Sequence, residues 1–181
     1  MIMRKIIAVI GEPGTGKTTL FREIMNLHSW ERVSVTPLLH AEYCAELNLY
    51  MLGKYTDEGT FAGTDRLGKR VQPEAEEWIR TTDKNVIYEG DRLSNGKFFN
   101  VLLAIPEVDL RVIALTTSES EKRARFALRG SDQSAVFLKS KATQIGNLTS
   151  NFEIREFLTE FKNETYADQK KILDHIESLF K

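Results

Sequence analysis

Along the chain, short runs of consecutive apolar residues alternate with stretches in which apolar positions recur every three or four residues. The runs "IIAVI" (6–10) and "RVIAL" (111–115) are apolar without interruption, the pattern of strands covered on both faces of a parallel sheet. Strands are predicted over Lys5–Ile10, Arg32–Val35, Leu49–Leu52, Val86–Tyr88 and Leu110–Leu115, with a last candidate at Arg155–Phe161. Helical patterns fall between them. Lys17–Asn26 follows a glycine-rich turn, and Pro73 suits a first helical turn whose positive end Glu74, Glu76 and Glu77 would favour. Ser118 and Glu121 have capping-box spacing and open a helix that Gly130 closes. A further helix is predicted over Gln133–Gly146. Ile172, Leu173, Ile176, Leu179 and Phe180 form one apolar stripe, an amphipathic final helix. Strand and helix in alternation predict an α/β three-layer sandwich around a mostly parallel five-stranded sheet.

Composition narrows the picture without redirecting it. A chain of 181 residues, 41% hydrophobic and 28% charged, reads as one ordinary globular domain, residues 1–181. The formal net charge of -1 provides no global positive field, so any contact with nucleic acid must come from a local basic patch. Cys44 is the single cysteine, which excludes an internal disulfide framework and suits a reducing, cytoplasmic compartment. "VLLAI" (101–105) and "IIAVI" fall far short of the ~20 residues of a membrane span. "MIMRKIIAVIGEPG" sets basic residues before an apolar run, as a secretion signal does, but Glu12 follows where a cleavage site should be, so it is read as a first strand. His28, His40 and His175 show no ligand spacing.

"GEPGTGKT", Gly11 to Thr18, completes the pattern G-x-x-x-x-G-K-[ST] between a predicted strand and a predicted helix. Such a loop turns backbone amides onto phosphate oxygens, and the helix start adds partial positive charge. Gly11, Glu12, Pro13, Gly14, Thr15, Gly16, Lys17, Thr18 and Thr19 are therefore the expected nucleotide-binding residues. Lys17 would reach the β- and γ-phosphates and the Thr18 hydroxyl would bind Mg²⁺. A GTPase would need a guanine-reading Asn-Lys-x-Asp element, and none occurs. An AAA+-type ATPase would want a strand ending in Asp-Glu and a helical lid domain, for which too few residues remain. A small-molecule or nucleic-acid kinase needs a compact domain, a carboxylate near the acceptor hydroxyl and mobile arginines. All three are present.

The carboxylates come from "EGDR". Strand 86–88 delivers Glu89 and Asp91 to the sheet edge that carries the glycine-rich loop. One can hold Mg²⁺ and the other can deprotonate the attacking hydroxyl; Asp91 is taken as the base and Glu89 as the metal-side group, with the swap left open. Arg92 would pair with a phosphate or clamp the acceptor. "FAGTDRLGKR" (61–70) repeats the theme with Asp65 and Arg66, in a loop that Gly59, Gly63 and Gly68 would let move. In "EKRARFALRGSDQS", Arg125 and Arg129 share one helix face and read as lid arginines closing over the phosphates, within a lid spanning about 118–148. Lys139 and Lys141 extend the positive surface.

These pieces resemble the phage-encoded P-loop kinases that phosphorylate 5-hydroxymethyluracil bases in DNA. The resemblance is carried by "GTDRL" (63–67), "VQPEA" (71–75), "EGDRL" (89–93) with "KFF" (97–99), and "RGSDQS" (129–134) running into "FLKSKATQIGNL" (137–148). Phe137 stands where Trp is expected and keeps the position aromatic. The resemblance implies a P-loop NTPase fold of the nucleoside-monophosphate-kinase kind with a small helical lid. It further implies ATP and Mg²⁺, and transfer to the exocyclic hydroxymethyl group of a base in modified DNA, in a host cytoplasm. A base inside a duplex must be flipped out or met in a widened groove. Asp65, Arg66, Arg92, Lys139 and Lys141 are then the acceptor-side candidates, with Arg70 beside them. No membrane and no stable protein partner is implied. Two further readings stand next to it: a soluble nucleoside or nucleoside-monophosphate kinase, and a switch module that binds or hydrolyses ATP without transfer.

Overall fold

The computed structural model describes residues 3–55 and 62–180, so Gly59 lies outside the described residues. The chain begins with β1 (Arg4–Gly11), α1 (Lys17–Leu27), β2 (Glu31–Ser34), β3 (His40–Cys44) and β4 (Leu49–Leu52). A 3₁₀ turn at Thr64–Arg66 precedes α2 (Val71–Thr81), β5 (Asn85–Glu89), α3 (Gly96–Leu103) and β6 (Val108–Thr116). The remainder is α4 (Glu119–Arg129), α5 (Ala135–Ser150), α6 (Phe152–Arg155), β7 (Leu158–Lys162) and α7 (Tyr166–Leu179).

The strands form one sheet in the order β2-β3-β4-β5-β1-β6-β7. β4, β5, β1, β6 and β7 are parallel, while β2 and β3 attach antiparallel to the β4 edge. The described sheet thus has seven strands rather than the predicted five: β3 adds the middle strand of the antiparallel edge, and β7, expected only as a last candidate, closes the opposite edge. β1 is apolar on both faces because both are covered. Ile6, Ala8 and Ile10 pack with Ala75 and Ile79 of α2 and Phe98 of α3. Ile7 and Val9 pack with Leu20 and Phe21 of α1 and Ile172 and Ile176 of α7. Each of the isoleucine, valine, leucine and phenylalanine side chains among them contributes about 1.5–3 kcal/mol when withdrawn from water, so β1 is pinned in register at the centre of the sheet. No helix among the described residues is long and apolar enough to cross a membrane.

Four expectations shift. Strand β3 was not predicted, because "HAEYC" carries Glu42, which is buried beside Arg32 at 3.6 Å and breaks the apolar pattern. Helix α3 was read only as an aliphatic run; its signal is Asn95, whose side chain accepts from the Phe98 amide at 3.1 Å. The predicted strand Arg155–Phe161 splits into α6, ending at Arg155, and β7, beginning at Leu158. Ser118 caps α4 by accepting from the Glu121 amide at 3.3 Å, but its own amide donates to Glu164, so only half of the predicted box forms. The reciprocal box belongs to α7, between Thr165 and Asp168.

His28, at the end of α1, has Nδ1 3.1 Å from Glu46 in the β3–β4 turn and Nε2 3.0 Å from Glu177 in α7. Burial opposes its protonation, but the two carboxylates prevail and hold its pKa above the ordinary value. A raised pKa makes this contribution complete below about pH 6.5 and lost as pH rises through the folded value. The Tm advantage of the wild type over His28→Gln is therefore expected to be largest near about pH 6 and to shrink by about pH 9, as scanning calorimetry would record. A gap independent of pH would show that the imidazole is not charged in the fold.

Candidate active site

The loop after β1 is held from outside. The Lys17 ammonium donates to the Gly11 and Glu12 carbonyls at 2.7 and 3.1 Å, and the Thr15 hydroxyl donates to Glu12 O at 2.8 Å. Helix α4 lies against the loop: Lys122 pairs with the Glu12 carboxylate at 2.7 Å, and the Phe126 ring approaches Gly14 closely. Arg125 donates to Gly14 O at 2.9 Å and to Asn163 O at 2.8 Å, while the buried Asn163 amide donates to Thr15 O at 2.8 Å. These bonds tie the loop's carbonyls down. The first-turn amides of α1, which no helical carbonyl can reach, are the donors left for an anion.

Across the sheet edge, β5 pairs with β1 at Val9 and Glu89, so the acidic corner lies beside the loop. Gly90 turns the chain there with φ of 105°, and a Cβ at that position would stand 2.5 Å from the Thr64 hydroxyl. That hydroxyl donates to Glu89 O at 2.8 Å, locking the 3₁₀ turn under the corner. Only glycine satisfies both demands. The Glu89 carboxylate is 2% exposed and accepts from Thr18 at 3.2 Å and Tyr55 at 3.4 Å. Burial pushes its pKa up to about 7, against the downward pull of Lys17; the Asp65 charge adds to the rise. Burial and the neighbouring Asp91 charge likewise raise Asp65. The Asp91 amide donates to Asp65 Oδ1 at 2.8 Å, and its carboxylate lies 2.7 Å from the Lys141 ammonium.

These groups surround a cavity of about 110 Å³ whose walls include Lys17, Thr18, Glu89, Asp65, Asp91 and Arg129. It adjoins a groove of about 630 Å³ to which Arg92, Asp132, Ser134 and Lys141 contribute. Asp65, Asp91, Gln133 and Phe137 border both. On the other side of Gly16, Thr19, Asn163, Tyr166 and Gln169 line a further groove of about 260 Å³, with Arg125 and Arg129 at its edge.

The predicted residues are thus divided. Lys17, Thr18, Glu89, Asp65, Asp91 and Arg129 meet in one cavity, with Arg92 and Lys141 next door. Arg125 does not share the position of Arg129: it is bonded to the back of the loop and to Glu121 at 2.9 Å, while Arg129, one turn on, stays exposed at the cavity. Arg66 and Lys139 line none of these three cavities. Tyr55, Phe126 and Asn163 were not foreseen, since each acts by packing or bonding across elements and none belongs to a local motif. His28, Cys44 and Glu46 bring ligand-type atoms within 4.8 Å of one another, but both imidazole nitrogens already face carboxylates.

A phosphate-type loop heading a parallel sheet, with an acidic corner beside it and basic helices across the opening, defines a P-loop kinase, a phosphotransferase. The family model described as P-loop Nucleotide Kinase3 matches residues 2–177, and the chain belongs to that family. No curated protein matches the sequence. Among solved structures, a sugar kinase from Janibacter sp. HTCC2649, determined without ligand, is similar over 97% of this chain and 93% of that chain. At 13% identity and a TM-score of 0.52, that likeness is one of fold.

Proposed function

We propose that this kinase transfers the γ-phosphate of ATP to the hydroxymethyl group of a 5-hydroxymethyluracil base in DNA. One observation carries the reading. Pieces of sequence as far apart as "GTDRL", "EGDRL", "RGSDQS" and the start of α5 supply the walls of a single groove opening beside the phosphate loop. Asp91 sits where cavity and groove join, as a base between donor and acceptor must. Arg129 and the segment 118–148 act as the lid.

The residues present fit Mg²⁺: the Thr18 hydroxyl and the Glu89 carboxylate offer hard oxygen donors 3.2 Å apart at the cavity wall. Held by Thr18 and Glu89, the ion would supply positive charge to offset that of the phosphates during transfer. The chain's own groups do the rest. The loop amides and Lys17 hold the triphosphate, and Lys141 and Arg92 orient the acceptor. Asp91 takes the proton of the hydroxymethyl oxygen as that oxygen bonds to the γ-phosphorus. The bond from phosphorus to the bridging oxygen of ADP breaks, and ADP leaves with its electron pair.

Free nucleosides or nucleotides are the second reading, favoured by the net charge of -1, since DNA binders usually carry a basic footprint. Labelled ATP offered with hydroxymethyluracil-containing DNA and, separately, with free nucleosides and nucleotides decides between them. Label in the DNA supports the first reading. Label only in the free compounds overturns it.

A further inference from the structure

The side-chain oxygen of Gln133 is enclosed and accepts no hydrogen bond among the described residues, and the residue itself lines both the cavity and the groove. A carboxamide oxygen withdrawn from water without a donor is costly, so an uncompensated one on a residue that lines a ligand-sized opening points to a donor gained when the side chain turns to a ligand there. Four residues on, Phe137 borders the same two spaces with its side of the helix fixed: the Ser134 hydroxyl accepts from the Phe137 amide at 3.2 Å. The residue is 40% exposed, which leaves part of its apolar surface open at the cavity and the groove. The Lys141 ammonium stands over the Phe137 ring, 5.4 Å from its centre, and also contacts Asp91 at 2.7 Å. Ring, cation and base are thereby one connected set.

We propose that Gln133 and Phe137 form the base-reading subsite of the acceptor: Phe137 stacks on the base, and Gln133 pairs with the imide edge of a uracil-type ring. This rests on the acceptor assigned above and adds which edge of it is read. In that pairing Gln133 Oε1 accepts the N3–H, and the carboxamide NH₂ donates to a flanking ring carbonyl. A cytosine-type ring has a bare acceptor at N3 and its donor one position further along the edge, so it cannot be read in the same register. The hydroxymethyl group at C5 then projects toward Asp91.

The test uses full-length protein, labelled ATP, and four acceptors: hydroxymethyluracil DNA, the free hydroxymethyl nucleotide, and each of these methylated at N3 of the modified base. Wild type is expected to lose roughly 10- to 100-fold in kcat/KM on N3 methylation. Gln133→Leu should lose about as much on the unmethylated base, mostly in acceptor KM, and methylation should cost it nothing more. KM for ATP should hold in both, which a merely structural role at the lid would not predict. Phe137→Ala should raise acceptor KM and Phe137→Trp restore it. If wild type phosphorylates the base but tolerates N3 methylation, or Gln133→Leu keeps the wild-type acceptor KM, this subsite is wrong while the kinase reading stands. Transfer to the free nucleotide alone, with the same methylation penalty, removes DNA but supports the subsite. Transfer to none of the four overturns both.

Discussion

Asp91→Asn is expected to lower kcat for acceptor phosphorylation by roughly 10²–10⁴ while KM for ATP changes by no more than about twofold. The two effects separate because the residue's backbone and side chain do different work. The Asp91 amide, bonded to Asp65, holds the corner in place, and that bond survives the substitution. Asparagine keeps the volume of the side chain and can still present an oxygen to Lys141. What disappears is the proposed acceptor of the proton as the P–O bond forms. The Asp91–Lys141 pair is itself partly exposed, with side-chain exposures of 28% and 19%, so its loss should cost only about 0–1 kcal/mol of stability. A variant that melts near the wild-type Tm, binds ATP and fails to transfer phosphate is the expected result. Full transfer by Asp91→Asn would dismiss Asp91 as the base. Asp65 is then the next candidate, since burial already raises its pKa and it lines the same cavity.

How far the sequence discloses this site follows from how each part is encoded. The phosphate loop is local: eight consecutive residues set its amides, its lysine and its hydroxyl, and the strand and helix around it are read from the same window. The acidic corner is legible for a related reason, because a buried strand such as "VIYE" has no cause to end in charge unless the sheet edge is used. Helix α4, expected to carry lid arginines, is where reading along the chain fails. Arg125 and Arg129 are equivalent on a helical wheel, and only the docking of α4 onto the loop makes one a brace against Gly14 O and leaves the other facing the cavity. Asn163 is beyond any local rule, since its partner Thr15 lies 148 positions away. The sheet shows the same division: the parallel core announces itself through unbroken apolar runs, whereas β3 hides because its buried Glu42 is neutralised by a strand neighbour. Sequence encodes what is local in chemistry. Long-range pairing decides which of two like residues is used.

Glu89→Gln is expected to move stability and activity in opposite directions. Glu89 is enclosed by Thr18, Tyr55 and the sheet, and burial raises its pKa from an ordinary 4.5 to about 7. The folded state therefore binds this proton more tightly than the unfolded chain does. That contribution is complete below about pH 4.5 and is lost as pH climbs through about 7, a loss of about 3 kcal/mol from this one group. Glutamine resembles the protonated acid in shape, and its oxygen can still accept from both hydroxyls, so the variant should escape the loss. In EDTA its Tm is expected to exceed the wild-type value at about pH 8 and to converge with it near about pH 5. Transfer should fall by roughly 10²–10³, because an ionised carboxylate beside Thr18 is what would draw a divalent cation to the phosphates. For the wild type, kcat/KM should rise with pH along an acid limb near 7, and Glu89→Gln should lose that limb. A buried carboxylate whose charge the surroundings disfavour fits the proposed role of a group that gains a cation beside it. If Glu89→Gln proves no more stable than wild type at high pH, yet still transfers phosphate normally, the carboxylate is a packing group and the metal-side assignment fails.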